Sequence, residues 1–465
     1  MIDLADNLEA YADKLIPKTN DANPDEYRLT ELGNAERFAE QHKEYLRYVA
    51  PWKKWIYYNG KRWIIGADEI VRKLGHQTAK SFYAAAADET DREKAAKLAK
   101  WGAVSCRSSS ISAMLKEAAA LLTIDPALLD ANPWFFNCEN CTIDIRSLTT
   151  HDHRREDYIT KIAPVVFDPK AAAPIFERTL KRCLPQNLID YIQRFFGYCL
   201  TGSTREQKID IWWGDGANGK STSKNAITAV LGDYAQTTRP ETLMVKRNDS
   251  IPSDLAKLKG ARLVTAEEAE DGHRLAESAI KQMTGGDRIQ ARFLYADYFE
   301  FMPEFKILLC TNHKPIITGI DHAIWRRIQL VPFTVTIPEA EQDKDLPEKL
   351  NCELSGILNW MLIGAGGWLA NGLECPEEVI EATANYQSEQ SVINVFLEGR
   401  CIVRDDAMVE AGMLFREFDQ WRINEGHRKL KQTKFGRMLA QLGFEKGRLP
   451  GSGRMVYRGI GLNER

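Results

Sequence analysis

Residues 214–222, GDGANGKST, constrain the fold of this chain more than any other stretch. They have the spacing G-x-x-x-x-G-K-[ST], which is typical of a loop that binds phosphate groups. The apolar residues 209–213 before the loop predict a buried strand, and apolar residues at helical spacing over 223–231 predict a helix. Glycines between a strand and a helix let backbone N–H groups converge on an anion at the helix N-terminus. The stretch therefore predicts a nucleoside triphosphate site.

Two side chains of this loop have specific expected tasks. Lys220 would contact the β- and γ-phosphates, and the hydroxyl of Ser221 would help to hold Mg²⁺. ATP and Mg²⁺ are therefore the expected cofactors. The predicted nucleotide-binding residues are Gly214, Asp215, Gly216, Ala217, Asn218, Gly219, Lys220, Ser221 and Thr222.

A second predicted strand, residues 262–266, leads into the acidic pair Glu267 and Glu268. Carboxylates at a strand end beside a phosphate loop suit ATP hydrolysis, because one can order Mg²⁺ and the other can position or deprotonate the attacking water. Both are candidate catalytic residues and metal ligands. The alternative is a solvated charge pair, since residues 267–271 hold four acids in five positions.

Polar side chains flank two more predicted strands. Asn312 follows the apolar residues 305–311, and its amide could hydrogen-bond the γ-phosphate or the attacking water. Arg326 and Arg327 precede the apolar residues 328–331, and a guanidinium at a subunit edge could act in the nucleotide site of a neighbouring subunit. The alternative for this arginine pair is an ordinary surface feature.

Length and composition predict a multidomain globular protein with one basic end. At 465 residues the chain predicts two to four domains of about 150 residues each, and its 44% hydrophobic and 27% charged residues are ordinary. No apolar stretch could span a membrane and the N-terminus is unlike a secretory signal, which predicts a cytoplasmic protein with reduced cysteines. Residues 427–465 hold ten Lys or Arg against two Asp or Glu, an excess that predicts a polyanionic partner.

Periodicity and composition divide the chain into six expected segments. These are a tail (1–24), an N-terminal α+β domain (25–160), a helical collar (161–205), the nucleotide-binding motor (206–340), a helical lid (341–395) and a C-terminal domain (396–465). In the N-terminal domain, Asn59-Gly60 predicts a hairpin whose tryptophans we interpret as core. The Cys138/Cys141 pair has a poor zinc-finger spacing to the histidines that follow it, so a zinc site is the less favoured alternative there.

Two further regions have a predicted local fold. Residues 288–301 alternate polar and apolar side chains around a polar break, which predicts a hairpin inserted between the acidic strand and the asparagine strand. At the C-terminus, two predicted helices followed by strand, turn and strand indicate a winged helix. Its predicted DNA-binding side chains are Lys429, Lys431, Lys434, Arg437, Arg454 and Arg458.

Residues 216–221, 281–287, 309–315 and 324–333, in this order, resemble the motifs of superfamily 3 helicases. The likeness is to the C-terminal half of phage and plasmid primase–helicases and their poxvirus relatives, and it covers the chain from about Leu29 onward. The resemblance implies the fold class α/β, with an AAA+ P-loop ATPase core, a mostly helical N-terminal domain and a C-terminal winged-helix domain. It also implies a hexameric ring that hydrolyses ATP and translocates on single-stranded DNA, typically 3′ to 5′, in replication of a phage, plasmid or integrated mobile element.

The resemblance also assigns roles to single residues. Lys220 and Ser221 match the phosphate loop, and Asn312 matches the polar sensor of the third motif. Arg327 best matches the finger that acts on the neighbouring subunit, with Arg326 as the second choice.

Two assignments within the resemblance differ from the family pattern. Family members often show a single Glu in the place of Glu268, so it stays open whether Glu267 or Glu268 holds the metal. The inserted hairpin corresponds to the pore loop that grips DNA, and here its tip carries Tyr295, with Arg292 nearby.

Two other functions are weighed against this one. A small-molecule kinase would need an acceptor pocket and would not explain the basic C-terminal domain. An ATP-dependent origin-binding or assembly protein without processive unwinding would use the same residues as a helicase. Relatives commonly carry a primase domain ahead of the helicase, and the residues before Leu29 are too few for one. The expected partners are therefore single-stranded and forked DNA, further copies of this chain, and a primase that is separate or fused in a longer chain.

Overall fold

The computed structural model describes residues 28–245, 253–267, 273–292, 298–317, 322–427, 429–449 and 453–463. The described chain is a mixed α/β protein that divides into two units. The N-terminal unit runs to Ile143 and includes Thr150–Ile162, and the C-terminal unit comprises Asp144–Thr149 and the residues from Ala163 onward. Within these described ranges, no helix combines the length and the apolar character that crossing a membrane requires.

Helices and two small sheets make up the N-terminal part of the chain. The helices are α1 (Glu31–His42), α2 (Asp68–Asp88), α3 (Arg92–Ser105) and α4 (Ser108–Leu121). One three-stranded sheet has the order β1 (Leu46–Val49), β2 (Lys54–Tyr58) and β3 (Trp63–Ile65). A second has the order β4 (Phe135–Asn137), β5 (Thr142–Asp144) and β6 (Thr149–His151).

The predicted hairpin at Asn59-Gly60 is confirmed. Tyr58 and Trp63 face each other in antiparallel β2 and β3. Gly60 has a φ of 89°, a left-handed conformation that glycine adopts at little steric cost. Trp63 is 1% exposed and packs in a buried cluster, so it is a core residue, as the sequence indicated.

A five-stranded parallel sheet forms the core of the motor. Its spatial order is β13 (Ile328–Pro332), β7 (Ile209–Trp213), β12 (Lys306–Thr311), β9 (Leu263–Glu267) and β8 (Ala235–Thr238). The helices along this part of the chain are α7 (Lys220–Leu231), α8 (Ser253–Ala256), α9 (Glu277–Gly285) and α10 (His322–Trp325). The strands expected around positions 209, 262, 305 and 328 are all confirmed. Because the strands are parallel, their carboxyl ends lie at one edge, where open α/β sheets bind ligands.

The expected collar and lid segments pack against each other, although about 160 residues separate them. The collar contains α5 (Pro174–Cys183) and α6 (Gln186–Cys199), and the lid contains α11 (Leu346–Asn351) and α12 (Leu354–Asn371). Gly364 on α12 lies so close to α6 that a Cβ there would overlap the Gln193 carbonyl. Lys306 and Arg262 of the motor donate to backbone carbonyls just past the end of α6, where the helix dipole favours cations. Hydrogen bonds from motor side chains to backbone carbonyls thus join the motor sheet to this helical layer.

A long helix, α13 (Glu377–Arg400), leads into the C-terminal domain. The domain continues with β14 (Cys401–Glu410), α14 (Ala411–Asn424), α15 (Gln432–Gln441), β15 (Lys446–Arg448) and β16 (Met455–Leu462). Its antiparallel sheet has the order β14, β16, β15. The two helices and the terminal pair of strands expected from the sequence are present.

The expected boundary at residue 396 falls inside α13 rather than between elements. Tyr386 in the middle of this helix is buried in the core of the motor. Ile393 and Phe396, two to three turns later, are buried in the core of the C-terminal domain. One continuous helix therefore contributes to both cores.

Candidate nucleotide and nucleic-acid sites

The predicted phosphate loop joins β7 to α7 at the carboxyl edge of the motor sheet. Gly219 precedes α7 with a φ of 82°, and Gly214 lies against the Phe333 carbonyl, where a side chain would overlap it. Ser221 and the outer part of the loop, residues 215–217, are exposed. Backbone N–H groups at the N-terminus of α7 and an accessible hydroxyl suit a phosphate anion and its metal counterion.

Lys220 and Asn312, which are 92 positions apart in sequence, meet at this edge. The Lys220 ammonium donates to the Gly214 carbonyl and, over 3.1 Å, to Asn312 Oδ1. Asn312 directly follows β12, the strand beside β7, and its own carbonyl accepts a hydrogen bond of 3.1 Å from Trp213 Nε1. The lysine predicted to bind phosphate and the predicted sensor thus form one hydrogen-bonded group.

Glu267 is the last residue of β9, the strand on the other side of β12. Its carboxylate forms an ion pair with Lys224 on α7, and the Lys224 side chain is only 7% exposed. Sequence reasoning did not single out Lys224. Its position four residues after Lys220, and so on the same face of α7, was the available signal. Glu268 lies outside the described residues.

The two arginines ahead of β13 differ in environment. Arg327 is 7% exposed. Its guanidinium donates to Thr284 Oγ1 over 3.0 Å and to the Ala323 carbonyl over 2.6 Å. Arg326 is exposed and contacts Gln207 Oε1 over 3.2 Å. Both precede β13 and so lie at the amino edge of the sheet, away from the phosphate loop of the same chain.

The inserted hairpin is formed by β10 (Ile289–Ala291) and β11 (Phe299–Phe301), which pair antiparallel between β9 and β12 in the sequence. The Arg292 guanidinium lies 4.9 Å from the ring centre of Tyr298, whose side chain is 56% exposed. Tyr295 at the predicted tip lies outside the described residues. Sequence reasoning overlooked Tyr298, an exposed aromatic side chain next to the tip.

Six basic side chains of the C-terminal domain are all exposed: Lys429, Lys431, Lys434, Arg437, Arg454 and Arg458. Lys431 is the N-cap residue of α15, and the first turn of that helix has no acidic residue. A helix N-terminus disfavours cations, so these lysines do not stabilise α15 through its dipole. A helix N-terminus bearing lysines instead suits a phosphate group.

The Cys138/Cys141 region shows no arrangement of metal ligands. His153 Nε2 donates over 2.8 Å to the backbone carbonyl of Cys138, not to its thiol. Burial raises the pKa of the Cys138 thiol far above its ordinary range, which keeps it protonated. In the part of the chain that the structure describes, no group of three or more His, Cys, Asp or Glu side chains is placed to hold a metal ion.

Two family models match the chain. A model described as "D5 N terminal like" matches residues 35–185, and one described as "Family of unknown function (DUF5906)" matches residues 212–327. The second match covers the phosphate loop, Asn312 and the arginine pair. The C-terminal region of NrS-1, a solved apo structure, aligns with a TM-score of 0.48 and 10% identity over 90% of this chain and 96% of that one.

Several similar proteins come from viruses. A protein named "Putative helicase" of Acanthamoeba polyphaga mimivirus is 28% identical over 303 residues, 60% of this chain and 31% of that protein. Another of that name, from Frog virus 3, is 28% identical over 255 residues, 50% and 26% of the two chains. A "Putative primase" of African swine fever virus is 24% identical over 214 residues, 43% and 22%. This chain spans about a third or less of the length of these relatives. Through its D5-like segment and these relatives, the chain is similar to viral proteins named as helicases and primases.

Proposed function

We propose that this chain is an ATP-dependent DNA helicase of superfamily 3, built on an AAA+ motor and working as a ring on single-stranded DNA. The observation that carries the proposal is the contact between Lys220 and Asn312 at the carboxyl edge of the sheet. Glu267 lies on the next strand of the same edge. A phosphate-binding lysine, a polar sensor and a carboxylate gathered at the carboxyl edge of three neighbouring strands suit hydrolysis of a triphosphate.

The residues present fit ATP and Mg²⁺. The phosphates would bind the N–H groups at the start of α7 and the Lys220 ammonium, which would give up the Gly214 carbonyl for them. The exposed Ser221 hydroxyl, with Glu267 or Glu268, would hold Mg²⁺, which supplies positive charge against the phosphate oxygens. The remaining glutamate and Asn312 would orient the water that attacks the γ-phosphorus. ADP and inorganic phosphate are then the products.

Two features support DNA as the track of this motor. The C-terminal domain joins helices to an antiparallel sheet in the order expected of a winged helix, with basic side chains on α15 and on the β15–β16 wing. The inserted hairpin places Tyr298 and Arg292 at the surface, and an aromatic ring beside a guanidinium suits the stacking of bases. The names of the viral relatives, helicase and primase, agree with this function.

Unwinding of forked DNA tests the proposal. We expect ATP- and Mg²⁺-dependent strand displacement on forks with a single-stranded tail of one polarity and not of the other. We also expect DNA to stimulate the ATPase activity. Lys220→Ala should lower ATP hydrolysis by about 100-fold or more and abolish strand displacement, because it removes the positive charge that binds the phosphates. Near-normal hydrolysis by folded Lys220→Ala protein would contradict the nucleotide assignment. DNA-stimulated hydrolysis without displacement on either fork would instead favour an origin-binding or assembly protein.

A further inference from the structure

We propose that Glu389 couples DNA contact on α15 to the nucleotide sensor of the motor, an inference that rests on the proposed helicase function. Glu389 lies on α13, the helix shared by the two cores. Its Oε2 atom is 3.3 Å from Lys314 Nζ and 3.1 Å from Lys434 Nζ. One carboxylate thus binds a lysine of the motor and a lysine of the C-terminal domain at the same time.

Lys314 belongs to the loop that carries the sensor. It follows Asn312 by two positions, and its side chain is only 18% exposed. Its ammonium lies 4.5 Å from the ring centre of Trp213, the residue that also holds the Asn312 carbonyl. Burial lowers the pKa of Lys314 and the Glu389 carboxylate raises it, so Glu389 favours the charged ammonium in this place.

The same loop is fixed to α13 by a second contact. The Tyr386 hydroxyl donates to the Pro315 carbonyl, one turn of α13 before Glu389. Contacts therefore run without interruption from Lys220 through Asn312 and its loop to α13, and from Glu389 to Lys434. Contacts of this kind can carry coupling between distant sites, provided that they include an element that both sites bias.

The element that both sites bias is the shared ion pair. Lys434 is in the first turn of α15, and its side chain is 48% exposed, so a DNA phosphate can reach its ammonium. A phosphate that binds Lys434 competes with Glu389 and leaves that carboxylate to Lys314 alone. The attraction between Glu389 and Lys314 then strengthens, which changes how firmly the Asn312 loop is held beside Lys220. The reverse effect, of nucleotide on DNA binding, follows from linkage.

The affinity of the motor for a non-hydrolysable ATP analogue, measured with and without saturating forked DNA, tests the coupling. We expect the two dissociation constants of the wild-type protein to differ by about fivefold or more, the lower end of typical allosteric coupling. In Glu389→Gln this ratio should fall to within about twofold of one, while each ligand still binds alone. Glu381→Gln is the matched control, because Glu381 is an exposed glutamate of the same helix. It should keep the wild-type ratio.

Lys434→Gln provides a second variant at an exposed position, for the case that Glu389→Gln does not fold. It should lower the same ratio and also weaken DNA binding, whereas Glu389→Gln should not weaken it. The coupling is overturned if Glu389→Gln or folded Lys434→Gln keeps the same ratio of dissociation constants as the wild-type protein. It is also overturned if the wild-type protein itself shows a ratio of one. If the wild-type protein fails to bind the analogue or the DNA at all, the proposed function itself is contradicted.

Discussion

At the residue scale, the ion pair of Lys224 with Glu267 makes a prediction about magnesium. Lys224 neutralises the carboxylate that we propose as a metal ligand, so the lysine and Mg²⁺ compete for it. Glu267→Gln should raise the Mg²⁺ concentration that half-saturates thermal stabilisation by an ATP analogue, by about fivefold or more. Lys224→Met should lower it, because the carboxylate is left without its ammonium partner.

An exposed lysine–glutamate pair serves as the control for these two variants. Lys181 and Glu177 are 3.8 Å apart on the surface of α5, and Lys181→Met should leave the Mg²⁺ dependence unchanged. If Glu267→Gln and Lys224→Met shift the Mg²⁺ requirement in the same direction, or not at all, the pair is a structural contact. The metal ligand would then have to be sought at Glu268, whose substitution by Gln should in that case raise the Mg²⁺ requirement.

Asp210 on β7 makes a prediction about pH. Its side chain is fully buried, Tyr191 donates a hydrogen bond of 2.9 Å to Oδ1, and Oδ2 has no hydrogen-bond partner. Burial raises the pKa of this carboxyl to about 8, well above the value of an unfolded chain. Between about pH 4 and pH 8 the folded protein keeps a proton that the unfolded chain has released, so this group makes stability fall as the pH rises through that window.

Asp210→Asn tests this assignment, because asparagine accepts the Tyr191 hydrogen bond and cannot ionise. The melting temperature of the variant minus that of the wild type should increase from pH 5 to pH 8.5, by at least about 2 °C. Tyr191→Phe, which removes the hydrogen bond that favours the ionised form, should not reproduce this rise. A difference between variant and wild type that is constant over the whole range would show that Asp210 does not titrate there.

Sequence motifs identify single residues only where a loop or a strand end fixes their place. Lys220 was found from the phosphate-loop motif and Asn312 from its place after a predicted strand, since parallel strands bring such ends to one edge. Lys224 and Glu389 were not found, because their partners are distant in sequence. Lys224 pairs with Glu267, 43 positions away, and Glu389 pairs with Lys314, 75 positions away. Ion pairs of this kind depend on how helices pack on the sheet, which no local pattern encodes.

At the scale of elements, the β10–β11 hairpin makes a prediction about coupling. Tyr295→Ala should spare initial DNA binding and ATP hydrolysis but lower the number of base pairs unwound per ATP, since a stacking face is lost. Tyr298→Ala should act in the same direction, because its ring also supports Arg292. Tyr83→Ala is the control, at a tyrosine 44% exposed on α2 of the N-terminal unit.

Assembly and unwinding measured on the same preparation decide the role of the hairpin. If Tyr295→Ala protein no longer assembles into a ring of subunits, as measured by light scattering with ATP, the residue is a contact between subunits. Normal unwinding by an assembled ring would remove it from the mechanism.

The predicted elements were reliable where apolar runs or turn residues mark them. Four of the five motor strands, β7, β9, β12 and β13, are mostly apolar runs, whereas β8 is largely polar and was not predicted. The Asn59-Gly60 turn is a specific hairpin signal. The boundary at residue 396 could not be read in this way, because α13 runs unbroken across it while its buried partners change. The packing of α6 on α12 was equally hidden, since glycines at a helix crossing give no periodic signal.

At the scale of the whole molecule, the arginine pair makes a prediction about subunits. Both arginines precede β13, and the five residues of β7 place that edge about 16 Å from the phosphate loop of the same subunit. We therefore expect the finger to act on a neighbour. Mixing Arg326→Ala protein with Lys220→Ala protein should restore part of the ATPase activity, because some interfaces then join an intact loop to an intact finger.

Arg327→Ala distinguishes the two arginines in the same assay. Its guanidinium is already bound within its own subunit, so we expect this variant to lower the melting temperature, which Arg326→Ala should not do. Complementation by Arg327→Ala and not by Arg326→Ala would return the finger to Arg327. If neither mixture regains activity although subunit exchange is verified, both arginines act within their own subunit.

The sharing of α13 between two cores has a mechanical consequence. From Tyr386, fixed in the motor, to Arg400 at its end, the helix is about 21 Å long at about 1.5 Å per residue. As a rigid lever arm pivoting at Tyr386, it would convert a tilt of about 10° into a displacement of about 4 Å at its far end. That displacement is close to the distance between successive nucleotides of a stacked strand, about 3.4 Å. In the proposed helicase, a small rotation beside the nucleotide sensor would thus move the basic domain by about the length of one nucleotide step.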